Sequence, residues 1–190
     1  MSTGLVPRPV ACALIVLLPL TACGNAGEDA SESSPPPQAA EGAFPVTVEH
    51  EFGSTTIEEE PKRVVTLGVT DADAVLALDL VPVGNTGYTF YESGLGPWTD
   101  DLVGDSELTR IASDSEPNIE QIANLAPDLI IGVSAGFDDA VYEDLSQIAP
   151  VVARPAGTAA YTVPRDEVTE VIATALGVLT TEVEYGPAVI

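Results

Sequence analysis

Asn118-Ile119-Glu120-Gln121-Ile122-Ala123-Asn124-Leu125-Ala126-Pro127-Asp128-Leu129-Ile130-Ile131-Gly132-Val133 sets a helix directly before a buried strand. Asn118 is a good N-cap, and Gln121 stands three residues on, as in a capping box. Ile119, Ile122 and Ala123 share the face turned to a core, and Pro127 stops the helix because it cannot donate a backbone hydrogen bond. Leu129 to Val133 shows no polar alternation. A short, continuous apolar run of this kind suits a parallel strand covered on both faces.

The same logic extends outward in both directions. Upstream, Pro61-Lys62-Arg63 leads into Val64-Val65-Thr66-Leu67-Gly68, a second buried run. Asp71 can cap a helix in which Ala72, Val75 and Leu76 share one side, and Val81-Pro82-Val83-Gly84 is the next strand. Downstream, Asp138 starts a helix with Val141, Leu145 and Ile148 on one side, and Val151-Val152-Ala153 is a strand. Val168, Val171, Ile172, Ala175 and Leu176 form a helical stripe that Gly177 ends. Ahead of all this, Val46 to Phe52 and Ser54 to Glu58 read as a hairpin hinged at Gly53. Strand and helix alternate with short connections. The expected fold class is α/β, a three-layer sandwich with a mostly parallel sheet.

The amino terminus reads differently. Val10 to Leu20 is apolar but too short to span a bilayer, and it fits the hydrophobic region of a secretory signal peptide. Leu20-Thr21-Ala22-Cys23 follows and resembles the lipobox of bacterial lipoproteins. The expected organisation is a signal peptide over 1–22, a tether over 23–43 lipidated at Cys23, a domain over 44–177, and a final segment over 178–190. Gly24 to Ala43, rich in Ser, Pro, Gly and acids, should be disordered. Acyl chains stabilise membrane attachment by about 0.8 kcal/mol per buried CH₂. The protein is then expected on the outer face of the cytoplasmic membrane, in the cell envelope.

Composition excludes several function classes. The chain carries 30 acidic residues against 6 Lys and Arg, a formal charge of −24, which disfavours nucleic acid and anionic headgroups as partners. Cys12 lies in the segment to be removed and Cys23 is to be acylated, so a thiol enzyme or a zinc ribbon is not expected. His50 is the only histidine, which leaves little for a His-based metal site or a Ser-His-Asp triad.

Ligands of open parallel sheets sit beyond the carboxyl ends of the strands. Four stretches qualify: 68–71, 85–98, 134–138 and 154–161. In the second, Tyr88, Phe90, Tyr91 and Trp98 crowd among Gly94, Gly96 and Pro97, and such a loop can line a pocket or cover the core edge. Arg154 directly follows a strand and can hold an anion or pair with a surface acid. Ser134 precedes a helix start, where free N–H groups attract anions.

Three motifs together resemble the substrate-binding proteins of ferric-siderophore ABC importers. These are Pro61 to Gly68 with the helix from Asp71 and Val81 to Gly84; Asn118 to Ile131; and Leu145-Ser146-Gln147-Ile148-Ala149-Pro150-Val151-Val152. The resemblance covers roughly Phe44 to Gly177 and implies one lobe of a periplasmic-binding-protein-like (chelatase-like) fold. It also implies a lipid-anchored receptor that is not an enzyme and uses no cofactor. It implies a ferric siderophore as ligand, the iron being held by the chelator and not by the protein, and an ABC permease as partner. Tyr88, Tyr91, Trp98, Ser134 and Arg154 are the expected ligand contacts. Glu120 matches the family's permease-docking glutamate. Val163-Pro164-Arg165 stands where many relatives carry Trp. The chain is expected to be the amino-terminal lobe of a two-lobed receptor, with segment 178–190 the truncated start of the interlobe helix. The rival readings are a cobalamin or haem binder of the same superfamily, an acidic lipoprotein that only contacts other proteins, and a hydrolase using Ser134 or Asp71.

Overall fold

The computed structural model describes residues 39–113 and 116–178. The segments expected as signal peptide and most of the tether, with Cys23, lie outside the described residues, as does segment 179–190.

The chain opens with an antiparallel hairpin, β1 (Val46–His50) and β2 (Gly53–Ile57), in which His50 pairs with Gly53. Gly53 has φ 121°, a conformation that only glycine adopts readily. A second sheet follows, of β3 (Val64–Thr66), β4 (Gly84–Asn85), β5 (Thr109–Arg110), β6 (Leu129–Gly132) and β7 (Val151–Ala153). All its pairings are parallel, and the strands lie in the order β5-β4-β3-β6-β7. The helices are α1 (Asp71–Ala77), α2 (Asp100–Val103), α3 (Ile119–Asn124), α4 (Asp139–Ser146) and α5 (Arg165–Ala175).

Alternation along the strands explains the layers. Val64, Leu129 and Ile131 point to one face, where they pack with Val75 of α1 and with Val168 and Ile172 of α5. Val65 and Ile130 point to the other, against Ile122 of α3 and Val141 and Leu145 of α4. Both faces are covered, so β3 and β6 are buried throughout, as their apolar runs require. β5 and α2 have no counterpart in the sequence pattern. β5 is a two-residue edge strand of Thr and Arg, and it has no apolar run to announce it.

Two of the motifs hold each other. The Asp128 carboxylate accepts from the backbone N–H of Lys62 and of Arg63, both at 2.9 Å. The Arg63 guanidinium donates to the carbonyls of Leu125 and Ala126, capping the end of α3. Asn118 caps α3 as expected, accepting from Gln121 N–H at 2.9 Å. Gln121 does not complete the box. Its amide accepts from Ala112 N–H and donates to the Arg110 carbonyl, tying α3 to the end of β5.

The hairpin closes the free edge of β7. His50 is buried, and its Nδ1 accepts from the Phe52 N–H at 3.2 Å. Nε2 therefore carries the proton and donates to the Thr55 hydroxyl at 2.9 Å, which donates to the Val151 carbonyl at 2.6 Å. Burial lowers the His50 pKa, while the Glu49 charge acts weakly the other way. Residues 40–43, read from sequence as the end of the tether, form a turn whose Ala40 N–H donates to the Gly177 carbonyl.

Candidate functional site

Going outward from the centre, β3 connects to β4 and β6 connects to β7 in opposite directions. The carboxyl ends of β3 and β6 therefore flank the switch point, where α/β sheets bind ligands. Asp71, the first residue of α1, turns its carboxylate into this point and is fully buried. Oδ2 accepts from Gly68 N–H at 2.9 Å, and Oδ1 accepts from Ser134 N–H at 2.9 Å and from the Ser134 hydroxyl at 2.7 Å. Thr70 N–H donates to that hydroxyl at 3.0 Å. Burial holds the Asp71 pKa above the ordinary carboxylate value, and the hydrogen bonds from Ser134 and Gly68 offset only part of that rise. Asp71 is thus not the side-chain cap expected of it. It staples the ends of β3 and β6 together, and Thr70 takes the cap position. The Ser134 hydroxyl spends its proton on that staple.

The aromatic loop lies at the same edge, beyond β4. Tyr88 N–H donates to the Gly94 carbonyl at 2.8 Å, and Gly94 N–H donates to the Tyr91 carbonyl at 3.1 Å, so the loop folds on itself. Gly87 has φ 49°, and a Cβ there would collide with the Gly94 carbonyl. Tyr88, Tyr91 and Trp98 meet edge-on, with ring centroids 5.7–6.0 Å apart. Phe90 packs on Tyr91 at 4.7 Å. Phe90 and Trp98 are 74% and 55% exposed, large for apolar rings, so they face outward and do not roof the core. The structure brings together these three predicted residues, Tyr88, Tyr91 and Trp98.

Tyr88 anchors the cluster. Its hydroxyl donates to Asp73 at 2.9 Å. Burial, helped by that hydrogen bond and by the Asp73 charge, pushes the phenol up to about 12, so it stays neutral. Arg110 Nη2 donates to the Tyr88 carbonyl at 3.4 Å. Beneath the loop, Thr66, Asn85 and Arg110 are register partners across β3, β4 and β5 and so share one face of the sheet. Among the described residues, Thr66 Oγ1, both amide atoms of Asn85, Arg110 Nη1 and Asp73 Oδ1 are buried without hydrogen-bond partners. Buried polar atoms of this kind are ordinarily satisfied by internal water. This polar row is invisible in the sequence, because it needs the strand register.

A groove of about 230 Å³ opens at the carboxyl edge. Thr86, Ser113, Glu116, Phe137, Asp138 and Tyr161 line it. The stretches 134–138 and 154–161 pointed to this edge, whereas nothing in the sequence pointed to Ser113 or Glu116.

Arg154 adjoins this groove through Phe137. It is pinned over the Phe52 ring at 5.2 Å, donates to the Thr158 and Phe137 carbonyls, and lies 3.9 Å from the Glu51 carboxylate. Its guanidinium ties the hairpin to the loop after β7. Ser134 is bound to Asp71 and Arg154 to the hairpin and the loop after β7, while Tyr88, Tyr91 and Trp98 contact one another. Glu120 stands exposed in the first turn of α3. Cys23 lies outside the described residues.

Residues 64–182 match the family described as Periplasmic binding protein. The chain is 37% identical over 142 residues to the Bacillus subtilis protein named "Probable siderophore-binding lipoprotein YfiY", a match covering 73% of this chain and 40% of that one. It superposes on a periplasmic solute binding protein from Mycobacterium smegmatis with a TM-score of 0.62 and 35% identity, covering 69% of this chain and 46% of that one. Against PiaA of Streptococcus pneumoniae in complex with ferrichrome, the TM-score is 0.61 at 29% identity, covering 70% and 45%. The chain spans less than half the length of these proteins.

Proposed function

The chain belongs to the periplasmic binding protein family, and from that premise we propose that it is an extracytoplasmic solute-binding lipoprotein that captures a ferric siderophore for an ABC permease. The observation that carries this reading is the edge-on cluster of half-buried Tyr88 and Tyr91 with exposed Trp98 at the carboxyl edge of a doubly wound sheet. Aromatic faces there suit a large, rigid, already complexed metal, which asks the protein for shape and not for ligand atoms. Tyr88 fits that role because its phenol is held neutral and committed to Asp73.

Trp98 is the sole tryptophan, which makes the test direct. Ferrichrome and ferric dicitrate are titrated into the chain while its emission is followed, with the gallium complexes as a control for light absorption by iron. Saturable quenching by at least one chelate is expected. A folded domain whose emission responds to none would remove the reading.

Two further elements belong to the proposal. Cys23 carries the lipid, so Cys23→Ser should move the protein from the membrane fraction to the soluble one. Glu120 docks on the permease. Glu120→Arg should therefore leave chelate binding intact while abolishing chelate uptake, and uptake at the normal rate would release Glu120 from that role.

A further inference from the structure

We propose that the groove at the carboxyl edge selects iron chelates of zero or positive net charge, such as hydroxamates with an ammonium arm, and turns away polyanionic catecholates and citrates. The proposal rests on the chelate-binding reading above and specifies the substrate class.

The chain has six Lys and Arg. Arg8 lies outside the described residues. Lys62 and Arg63 sit at the amino end of β3, opposite the groove, with Arg63 bound to the end of α3. Arg154 is held by two carbonyls, Phe52 and Glu51. Arg110 lies under the aromatic loop, on the Tyr88 carbonyl. Arg165 opens α5 beside the Asp73–Tyr88 pair and is followed by Asp166 and Glu167. None of them lines the groove.

What does line it is negative. Glu116 and Asp138 are both exposed there. Asp138 also caps α4, accepting from Val141 N–H at 3.1 Å, a bond that leaves its charge in place. Together they set two negative charges along the groove. Tyr161, 67% exposed, lies over the groove wall, and Thr86 leads directly into the loop bearing Trp98 and Phe90. Exposed ring faces attract an ammonium group. A trianionic chelate seated in this groove meets two carboxylates, while Arg154, which borders it through the Phe137 carbonyl, already faces Glu51, on a chain of charge −24.

The test uses this chain and three gallium chelates: desferrioxamine B (cationic), ferrichrome-type (neutral) and enterobactin (trianionic). Affinities are read by Trp98 emission and by calorimetry at low salt. The cationic and neutral complexes should bind at least about thirtyfold more tightly than the trianion, with the gap narrowing as salt is added. In the double variant Glu116→Gln/Asp138→Asn, where Asn still caps α4, the cationic complex should lose about three- to tenfold while the trianion gains. A trianion that binds tightest, or a preference unmoved in the double variant, overturns the charge rule and leaves chelate binding standing. Binding of none of the three brings down the chelate-binding reading and the charge rule with it.

Discussion

Replacing Asp71 with Ala removes the acceptor that joins β3, α1 and β6. Three donors lose their partner at once: Gly68 N–H, Ser134 N–H and the Ser134 hydroxyl. An orphaned buried donor costs about 1–3 kcal/mol, so the gross loss is about 3–9 kcal/mol. Part is returned, because a carboxylate in a fully buried site carries a desolvation penalty that the variant no longer bears. The net destabilisation should be about 3–5 kcal/mol, a large share of the 5–15 kcal/mol typical of a folded domain. Urea unfolding followed by far-UV circular dichroism reads this directly. With a slope of about 1–3 kcal/mol per molar, the midpoint should fall by more than about 1 M. Asp71→Ala with a loss under about 1 kcal/mol would show that water substitutes freely for the carboxylate and that the switch point is not held by it.

The other expectations are briefer. The unfolded state binds a proton at His50 near pH 6.5, and the buried native imidazole binds one only at lower pH, so stability should fall as pH drops through about 6.5. Urea midpoints at pH 7.5 and 5.5 should differ less in His50→Gln than in the parent, and equal differences would contradict the buried tautomer. Gly87→Ala puts a Cβ into the Gly94 carbonyl at φ 49° and should open the aromatic loop, shifting Trp98 emission and lowering chelate affinity at least about tenfold. Unchanged emission would mean the loop tolerates the side chain. Tyr88→Phe leaves the buried Asp73 carboxylate without its donor and should destabilise the domain by about 1–3 kcal/mol in the same urea assay. No loss there would separate Asp73 from the loop.

The sequence made the sheet legible wherever strands are buried on both faces. Val64-Val65 and Leu129-Ile130-Ile131 could be little else, and the motifs around them sit where Arg63 and Asp128 interlock the two segments. Short edge elements such as β5 escaped because they bury too little to leave a pattern. The aromatic loop was visible as a local excess of rings among glycines. The fate of single polar residues was not visible. Asp71 and Asp138 have the same local signature of an acid at a helix start, yet Asp138 caps its helix while Asp71 turns to Ser134, 63 positions away. Arg154 likewise had the signature of an anion-binding residue until the hairpin placed Phe52 and Glu51 against it. Such choices are made by tertiary neighbours, which local pattern does not contain.

The most direct measurement is an amide NMR titration of this chain with a gallium siderophore complex. Saturable shifts are expected, confined to the carboxyl edge, at Thr86 to Trp98 and at the groove residues around Asp138 and Tyr161. Shifts centred at the amino ends of the strands, near Lys62 and Asp128, or saturation without any change in the aromatic loop, would contradict the chelate-binding reading.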